Sequence, residues 1–285
     1  MSREYFWTAN RIDEIASSRA RTLGPSVWAA AQPDGKRLIS FAGGLPDIPS
    51  LPGEELERAA RKVIATDRKE ALEYGGTFGT LPLRQELARR STRLEGLQID
   101  PEQVLIVSGS AHGIGLMCET LLDPGDTVLV ESPNFPGSIR TIRAFGPEIV
   151  PVPLDEEGLR VDHLEATLDR LLNEGRRPKF LYCIPTHQNP AGVTLPLARR
   201  EKLLELVRRF ETLIIEDDAY GELWFDSPPP PSMFALSGGD HVVKISSFSK
   251  ILATGLRMGW SMGPPALISR MAATRYDMGS SVFLG

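Results

Sequence analysis

The segment Ser246-Ser247-Phe248-Ser249-Lys250, with Arg257 seven residues further on, sets a primary amine among hydroxyls and one loop away from a guanidinium. Such a set offers an amine for a Schiff base, and donors with a fixed positive charge for a dianionic phosphate. The same Ser-x-x-Lys spacing also occurs in acyl-transfer enzymes or as a solvated lysine in a serine-rich turn. A second segment, Glu216-Asp217-Asp218-Ala219-Tyr220, directly follows the apolar run Leu213-Ile214-Ile215. A carboxylate at the end of a buried strand needs a charged partner, and the protonated nitrogen of a pyridine ring is one. Asp217 would then keep that ring an electron sink, with Tyr220 in reach of its phenolic oxygen. A helix N-cap or a magnesium-binding acidic turn are the competing readings. In the third segment Asn189-Pro190 and Gly192 follow an apolar run, and the Asn189 amide can donate to the same phenolic oxygen; alone, Asn-Pro is an ordinary turn.

Two upstream turns extend the set. Ser108-Gly109-Ser110-Ala111-His112-Gly113 joins an apolar run to a helical pattern, so backbone N–H groups and the Ser110 hydroxyl would face an anion, unless the turn does no more than cap its helix. Phe135, within Ser132-Pro133-Asn134-Phe135-Pro136-Gly137, could stack on a flat ring or be a core residue. The combination makes sense against a phosphorylated, electron-withdrawing aldehyde.

These residues must be held by a scaffold, and from about Pro101 onward short β-branched runs alternate with helical patterns, which predicts a mostly parallel sheet covered by helices on both faces. Seven strands are expected, over residues 104–107, 127–131, 148–152, 179–184, 212–216, 242–246 and 259–262. Apolar spacing predicts helices over 114–122, 164–172 and 199–210, the second opened by a capping box from Asp162 to Glu165. Parallel strands present ligands at their carboxyl ends, where the unusual residues cluster. Residues 1–38 read as an N-terminal arm. Before Pro101 come a Gly-Pro loop and two helical patterns separated by residues 74–79, and Pro228 to Pro231 form a stiff surface connection.

Composition narrows the partners. With 285 residues, 41% hydrophobic and 24% charged, the chain is of ordinary globular type, and its net charge of -5 is spread with no basic block to neutralise a phosphate backbone, which argues against nucleic acid. Only Cys118 and Cys183 occur, in apolar stretches, so neither a disulfide framework nor a metal site is expected. No stretch reaches the roughly 18 apolar residues of a membrane span, and the N-terminus carries no apolar leader. A cytoplasmic location is the expectation.

Taken together, the segments resemble the fold-type I pyridoxal-phosphate (PLP) enzymes, and specifically the class I/II aminotransferases. Ser-Phe-Ser-Lys with an arginine seven residues on is similar to the branch with aminoadipate and kynurenine aminotransferases and the MocR-type regulators. Further matching pieces are Phe41-Ala42-Gly43-Gly44-Leu45-Pro46-Asp47, Leu72-Glu73-Tyr74-Gly75 and Asp217-x-Ala219-Tyr220. The resemblance runs from about Ile39 to the C-terminus. It implies a three-layer α/β large domain over residues 39–285, with 39–100 also serving the small-domain side and a homodimer interface. It implies that Lys250 carries PLP and moves the proton of the amino-acid Cα, that Asp217 pairs with the pyridine nitrogen, and that Asn189 and Tyr220 hold the phenolic oxygen. Ser110, Ala111, Ser247, Ser249 and Arg257 would hold the phosphate, with Tyr74 reaching the cofactor of a neighbouring subunit, and Gly44 and Asn189 would line the substrate-carboxylate pocket. The implied reaction moves an amino group from an amino acid to a 2-oxo acid such as 2-oxoglutarate. Another PLP-dependent reaction, as in a lyase, decarboxylase or oxidase, uses the same residue set, and a non-catalytic PLP sensor is a third reading. The chain departs from the family in placing Phe135 where many relatives carry a tyrosine, and it stops before the small C-terminal domain and its carboxylate-binding arginine.

Overall fold

Val104-Leu105-Ile106-Val107 sends alternate side chains to opposite faces of a strand, and all four are buried, so a layer must cover each face. The computed structural model describes residues 6–23, 44–73 and 76–275. Among them eight strands form one sheet in the order β1-β8-β7-β6-β5-β2-β3-β4. They are β1 Val104–Val107, β2 Thr127–Ser132, β3 Glu148–Asp155, β4 Gly158–Leu159, β5 Phe180–Cys183, β6 Leu213–Asp217, β7 Val242–Ser247 and β8 Gly259–Met262. β3, β2, β5, β6 and β7 are mutually parallel neighbours, whereas β8 runs antiparallel to both β1 and β7.

The helices are α1 Ala9–Ile15, α2 Ser18–Thr22, α3 Gly53–Thr66, α4 Arg68–Leu72, α5 Leu81–Glu95, α6 Ser110–Leu121, α7 Pro136–Arg143, α8 Val161–Asn173, α9 Leu197–Arg209, α10 Met233–Leu236 and α11 Pro265–Arg275. One face of the sheet packs Val104, Ile106, Leu181 and Ile214 against α5, α8, α9 and α10. The opposite face packs Leu105, Val107, Tyr182 and Ile215 against α6, α7 and α11. This is the three-layer α/β architecture that the sequence predicts. None of the helices among the described residues is long and apolar enough to cross a membrane.

All seven expected strands are present, with ends shifted by up to three residues. The eighth, β4, folds back on the end of β3 through Leu154 and Asp155 and is too short to leave a periodic trace in the sequence. The capping box expected from Asp162 to Glu165 does not form. Helix α8 begins two residues earlier, with Arg160 rather than Asp162 at the N-cap position; the Asp162 carboxylate turns back to the Arg160 guanidinium, and Glu165 pairs with Arg209 at 2.7 Å. Both carboxylates are thus engaged by arginines instead of by the backbone N–H groups of a cap. Of the N-terminal arm, residues 6–23 form α1 and α2, and Arg19 lies 4.1 Å over the Phe145 ring. Cys118 and Cys183 are free and buried.

Candidate active site

Two carboxylates end β6 and a third, Asp218, follows, and the two-residue repeat of the strand separates them. Glu216 faces the α9–α10 side, where its oxygens accept from the N–H groups of Met233 at 2.9 Å and Phe234 at 3.0 Å. Asp217 turns to the opposite side. There its Oδ2 accepts from the Tyr182 hydroxyl at 2.6 Å, while Oδ1 is buried with no hydrogen-bond partner. Asp218 returns to the first side, 3.8 Å from the buried Lys244, whose ammonium is also held by Glu95. The alternation removes the acidic-turn reading, because the three groups do not converge on one ion.

Asp217 lines a cavity of about 460 Å³ at the carboxyl ends of the parallel strands, where the crossover loops open. Lys250, Tyr220, Asn189, Phe135, Ser110, Ala111, Ser249, Arg257 and Gly44 line the same cavity. The Lys250 ammonium donates to the Gly44 carbonyl at 2.6 Å and stands 5.9 Å from the centre of the Tyr220 ring. Burial pulls its pKa below the ordinary lysine value, which makes the free amine easier to reach. The Asn189 amide donates to the Tyr220 hydroxyl at 3.5 Å, so the two polar groups meet at one part of the cavity wall. Burial pushes the Asp217 carboxyl up to about 6, while the Tyr182 hydroxyl and the Ala219 N–H pull the other way.

At the far wall α6 begins at Ser110, and its N-cap is Gly109 at φ +82° with no side-chain cap. The N–H groups of Ser110 and Ala111 precede the first turn of intrahelical bonding, so they are available to an anion, as is the positive end of a twelve-residue helix. The His112 ring accepts from the Ser108 N–H at 3.0 Å and holds the turn in shape. Arg257, itself at φ +52°, brings its guanidinium so close that a Cβ on Gly109 would lie 2.9 Å from Nη2. Gly259 on β8 is the second enforced glycine: a Cβ there would sit 2.5 Å from the Ser246 carbonyl and 3.1 Å from the Gly109 backbone. Gly259→Ala is expected to destabilise the fold by about 1–3 kcal/mol through overpacking and to displace the Gly109–Ser110 turn. A thermal melt together with an anion-affinity measurement checks both effects; unchanged values would mean that the turn yields freely.

Ser247 is the one described candidate that the cavity does not include. Its side chain is buried behind Ser249, accepting from the Ser249 N–H at 3.0 Å and lying 2.9 Å from its hydroxyl, so it shapes the loop from behind. Tyr74 lies outside the described residues. Phe135 is half-buried at the N-cap of α7, with its ring edge over Gly137, where a Cβ would come within 2.5 Å. Several polar groups near the site carry no local motif. Tyr182, Ser138 and Glu131 converge beneath Asp217, and Arg200, wholly buried on α9, binds the carbonyls of Leu195, Pro231 and Pro185 and the Thr186 hydroxyl. In sequence they sit inside apolar or amphipathic runs, so only a polar residue on an otherwise buried face hinted at them.

Comparison with known proteins places this arrangement. The family model for aminotransferase class I and II matches residues 39–284. The aromatic-amino-acid aminotransferase 1 of Thermococcus litoralis is 38% identical over 241 residues, which is 85% of this chain and 58% of that protein. The structure of a multiple substrate aminotransferase from Thermococcus profundus superposes with a TM-score of 0.84 at 35% identity, covering 98% of this chain and 68% of that one. The α-aminoadipate aminotransferase of Thermus thermophilus, solved with N-(5'-phosphopyridoxyl)-L-leucine, gives 0.80 at 35% identity, covering 95% and 64%. The chain thus spans less than two thirds of the length of the curated relative it matches. On the match over residues 39–284 and on these identities, the chain belongs to the class I and II aminotransferase family.

Proposed function

We propose that the protein is a PLP-dependent aminotransferase that passes the amino group of an amino acid to a 2-oxo acid, 2-oxoglutarate being the acceptor first in line. The reading is carried by one observation: a single cavity joins a half-buried amine, a buried carboxylate with one unpartnered oxygen, and an uncapped helix N-terminus flanked by Arg257. The residues suit PLP at both ends, since Asp217 Oδ1 is buried without a donor, which a protonated ring nitrogen supplies, and the first N–H groups of α6 have no side-chain cap and can receive a phosphate. When bound, PLP supplies an aldehyde for the amine and an electron-withdrawing ring that stabilises negative charge developing at the substrate Cα.

The chain's residues then divide the work. Ser110, Ala111, Ser249 and Arg257 hold the phosphate, with Ser247 bracing Ser249. Asp217 holds a proton on the ring nitrogen, Asn189 and Tyr220 hold the phenolic oxygen, and Phe135 covers a ring face. Lys250 Nζ carries the cofactor at rest and moves the proton at the substrate Cα, a task that its lowered pKa favours. Gly44 and Asn189 border the substrate carboxylate. Residues 39–285 form the cofactor-binding unit, residues 39–100 also serve a homodimer interface, and Tyr74 reaches the partner's cofactor.

Borohydride reduction of the PLP-loaded chain followed by peptide mass spectrometry is expected to find the tag on Lys250. Addition of an amino donor is expected to convert bound PLP to pyridoxamine 5'-phosphate, and a 2-oxo acid to restore it. A tag that persists without conversion would favour a sensor or another PLP reaction, and a tag on any other lysine would overturn the site.

A further inference from the structure

Tyr182 is fully buried on the sheet face that carries Asp217, and nothing in the reaction just described uses it. It sits on β5 opposite Ile215 of β6, so Asp217, two residues further along β6 on the same face, is its diagonal neighbour and within reach of a tyrosine side chain. The Tyr182 hydroxyl lies 2.6 Å from Asp217 Oδ2 and 2.8 Å from the Ser138 hydroxyl in the first turn of α7. We infer that Tyr182 is a positioning residue for Asp217: its hydroxyl engages one carboxylate oxygen, leaves the other aimed at the cofactor ring, and keeps the carboxylate ionised. The inference rests on the proposed pairing of Asp217 with a protonated ring nitrogen.

A phenol has one hydrogen and here has two neighbours. The charged acceptor takes that hydrogen, because a hydrogen bond to an ion is about twice as strong as a neutral one. The Ser138 hydroxyl must then donate to the phenol oxygen, giving a directed chain from Ser138 through Tyr182 to Asp217. Burial, reinforced by the Asp217 charge, pushes the Tyr182 pKa well above its ordinary value, so the residue stays a donor at any working pH. With Oδ2 occupied, rotation of the carboxylate would break a short bond. Oδ1 is thereby fixed as the free oxygen.

The ionisable groups around this carboxylate are Tyr182 from β5 and Glu131 from β2, with Arg140 of α7, Lys250, Arg257 and Tyr220 sharing the cavity; α6 presents Ile114 and Ser110. Glu131 accepts from the Ile184 N–H at 2.8 Å and makes no hydrogen bond to Asp217, whose Oδ1 has no partner. Deleting the Tyr182 hydroxyl therefore raises the Asp217 pKa further. A protonated Asp217 cannot pair with a cationic ring nitrogen, so cofactor affinity is lost at a higher pH on acidification.

The test uses pyridoxamine 5'-phosphate, which lacks an aldehyde and so does not engage the Lys250 amine. Its affinity for the full chain is measured by fluorescence titration from pH 5.5 to 8.5. In Tyr182→Phe the dissociation constant is expected to rise roughly tenfold, the order expected for a lost hydrogen bond to a charge. The acid limb is expected to move up by about one pH unit. Ser138→Ala is expected to move the same limb in the same direction by less, and serves if Tyr182→Phe folds poorly. A purely structural role for Tyr182 would lower the melting temperature of the apo chain without moving the limb. An acid limb that coincides with wild type in both variants overturns the inference while leaving the PLP reading intact. Failure of the unaltered chain to bind either PLP or pyridoxamine phosphate overturns both.

Discussion

Lys250→Arg is expected to lose turnover as completely as Lys250→Ala, by roughly 10⁴-fold, the upper end of what a positioned acid–base group contributes. Both variants should also lose the borohydride-stable tag. Arginine retains the positive charge near the Gly44 carbonyl and much of the reach of lysine, but its guanidinium does not deprotonate in proteins and so can neither attack an aldehyde nor take a proton from Cα. The comparison separates a chemical role from an electrostatic one. If Lys250→Arg retained a tenth of the wild-type rate, the lysine would be acting only as a charge. Phosphate holding should survive in both variants, because Ser110, Ala111 and Arg257 lie on other segments, so non-covalent binding of pyridoxamine phosphate provides a check that the fold and the anion cradle persist.

Arg200→Met is expected to cost about 3–5 kcal/mol, the range found when one partner of a buried ion pair is removed. Arg200 is wholly buried. Its Nε binds the Leu195 carbonyl at 2.9 Å, Nη1 the Pro231 carbonyl at 3.1 Å, and Nη2 the Pro185 carbonyl at 3.0 Å and the Thr186 hydroxyl at 2.9 Å, with Glu216 4.0 Å from Nη1. Methionine fills similar volume but leaves those acceptors unpaired and removes the cation beside Glu216. For a chain of this size the melting temperature should fall by about 10 °C. The double variant Arg200→Met/Glu216→Gln should recover part of the loss, since it no longer strands a buried charge. Absence of any recovery would show that the carbonyl contacts carry the whole effect. Because Arg200 pins Pro185 and Thr186 at the end of β5, the single variant should also loosen Asn189 and weaken cofactor binding.

Much of the scaffold was legible in sequence, for local reasons. The strands β1, β2, β5, β6, β7 and β8 are short apolar runs bounded by turn residues, and the alternation of faces follows from their two-residue repeat. The two-residue β4 left no such trace, and the start of α8 was misplaced because arginines at positions 160 and 209 compete for the carboxylates that would have formed the cap. The candidate site residues were legible because amine, acids, amide and glycine-rich turn lie in loops that follow strands. Ser247, which the resemblance sets among the phosphate-holding residues, is buried at the end of β7 with its hydroxyl engaged by the Ser249 N–H and hydroxyl, and it does not line the cavity.

The order of residues along the chain by itself determined the α/β class, the placing of Lys250, Asp217, Asn189, Tyr220, Ser110 and Arg257 at or just beyond the ends of strands, and the family they resemble, because each rests on near-neighbour spacing. Only the tertiary structure decided that these loops meet at one cavity, that Glu216 and Asp218 face one side of the sheet and Asp217 the other, and that Tyr182 and Ser138 stand beneath Asp217. Those facts depend on which strands lie side by side. The pairing of β5 with β6, and of β7 with a reversed β8, is set by the burial of two apolar faces over the whole sheet, a sum of long-range contacts that no local pattern encodes.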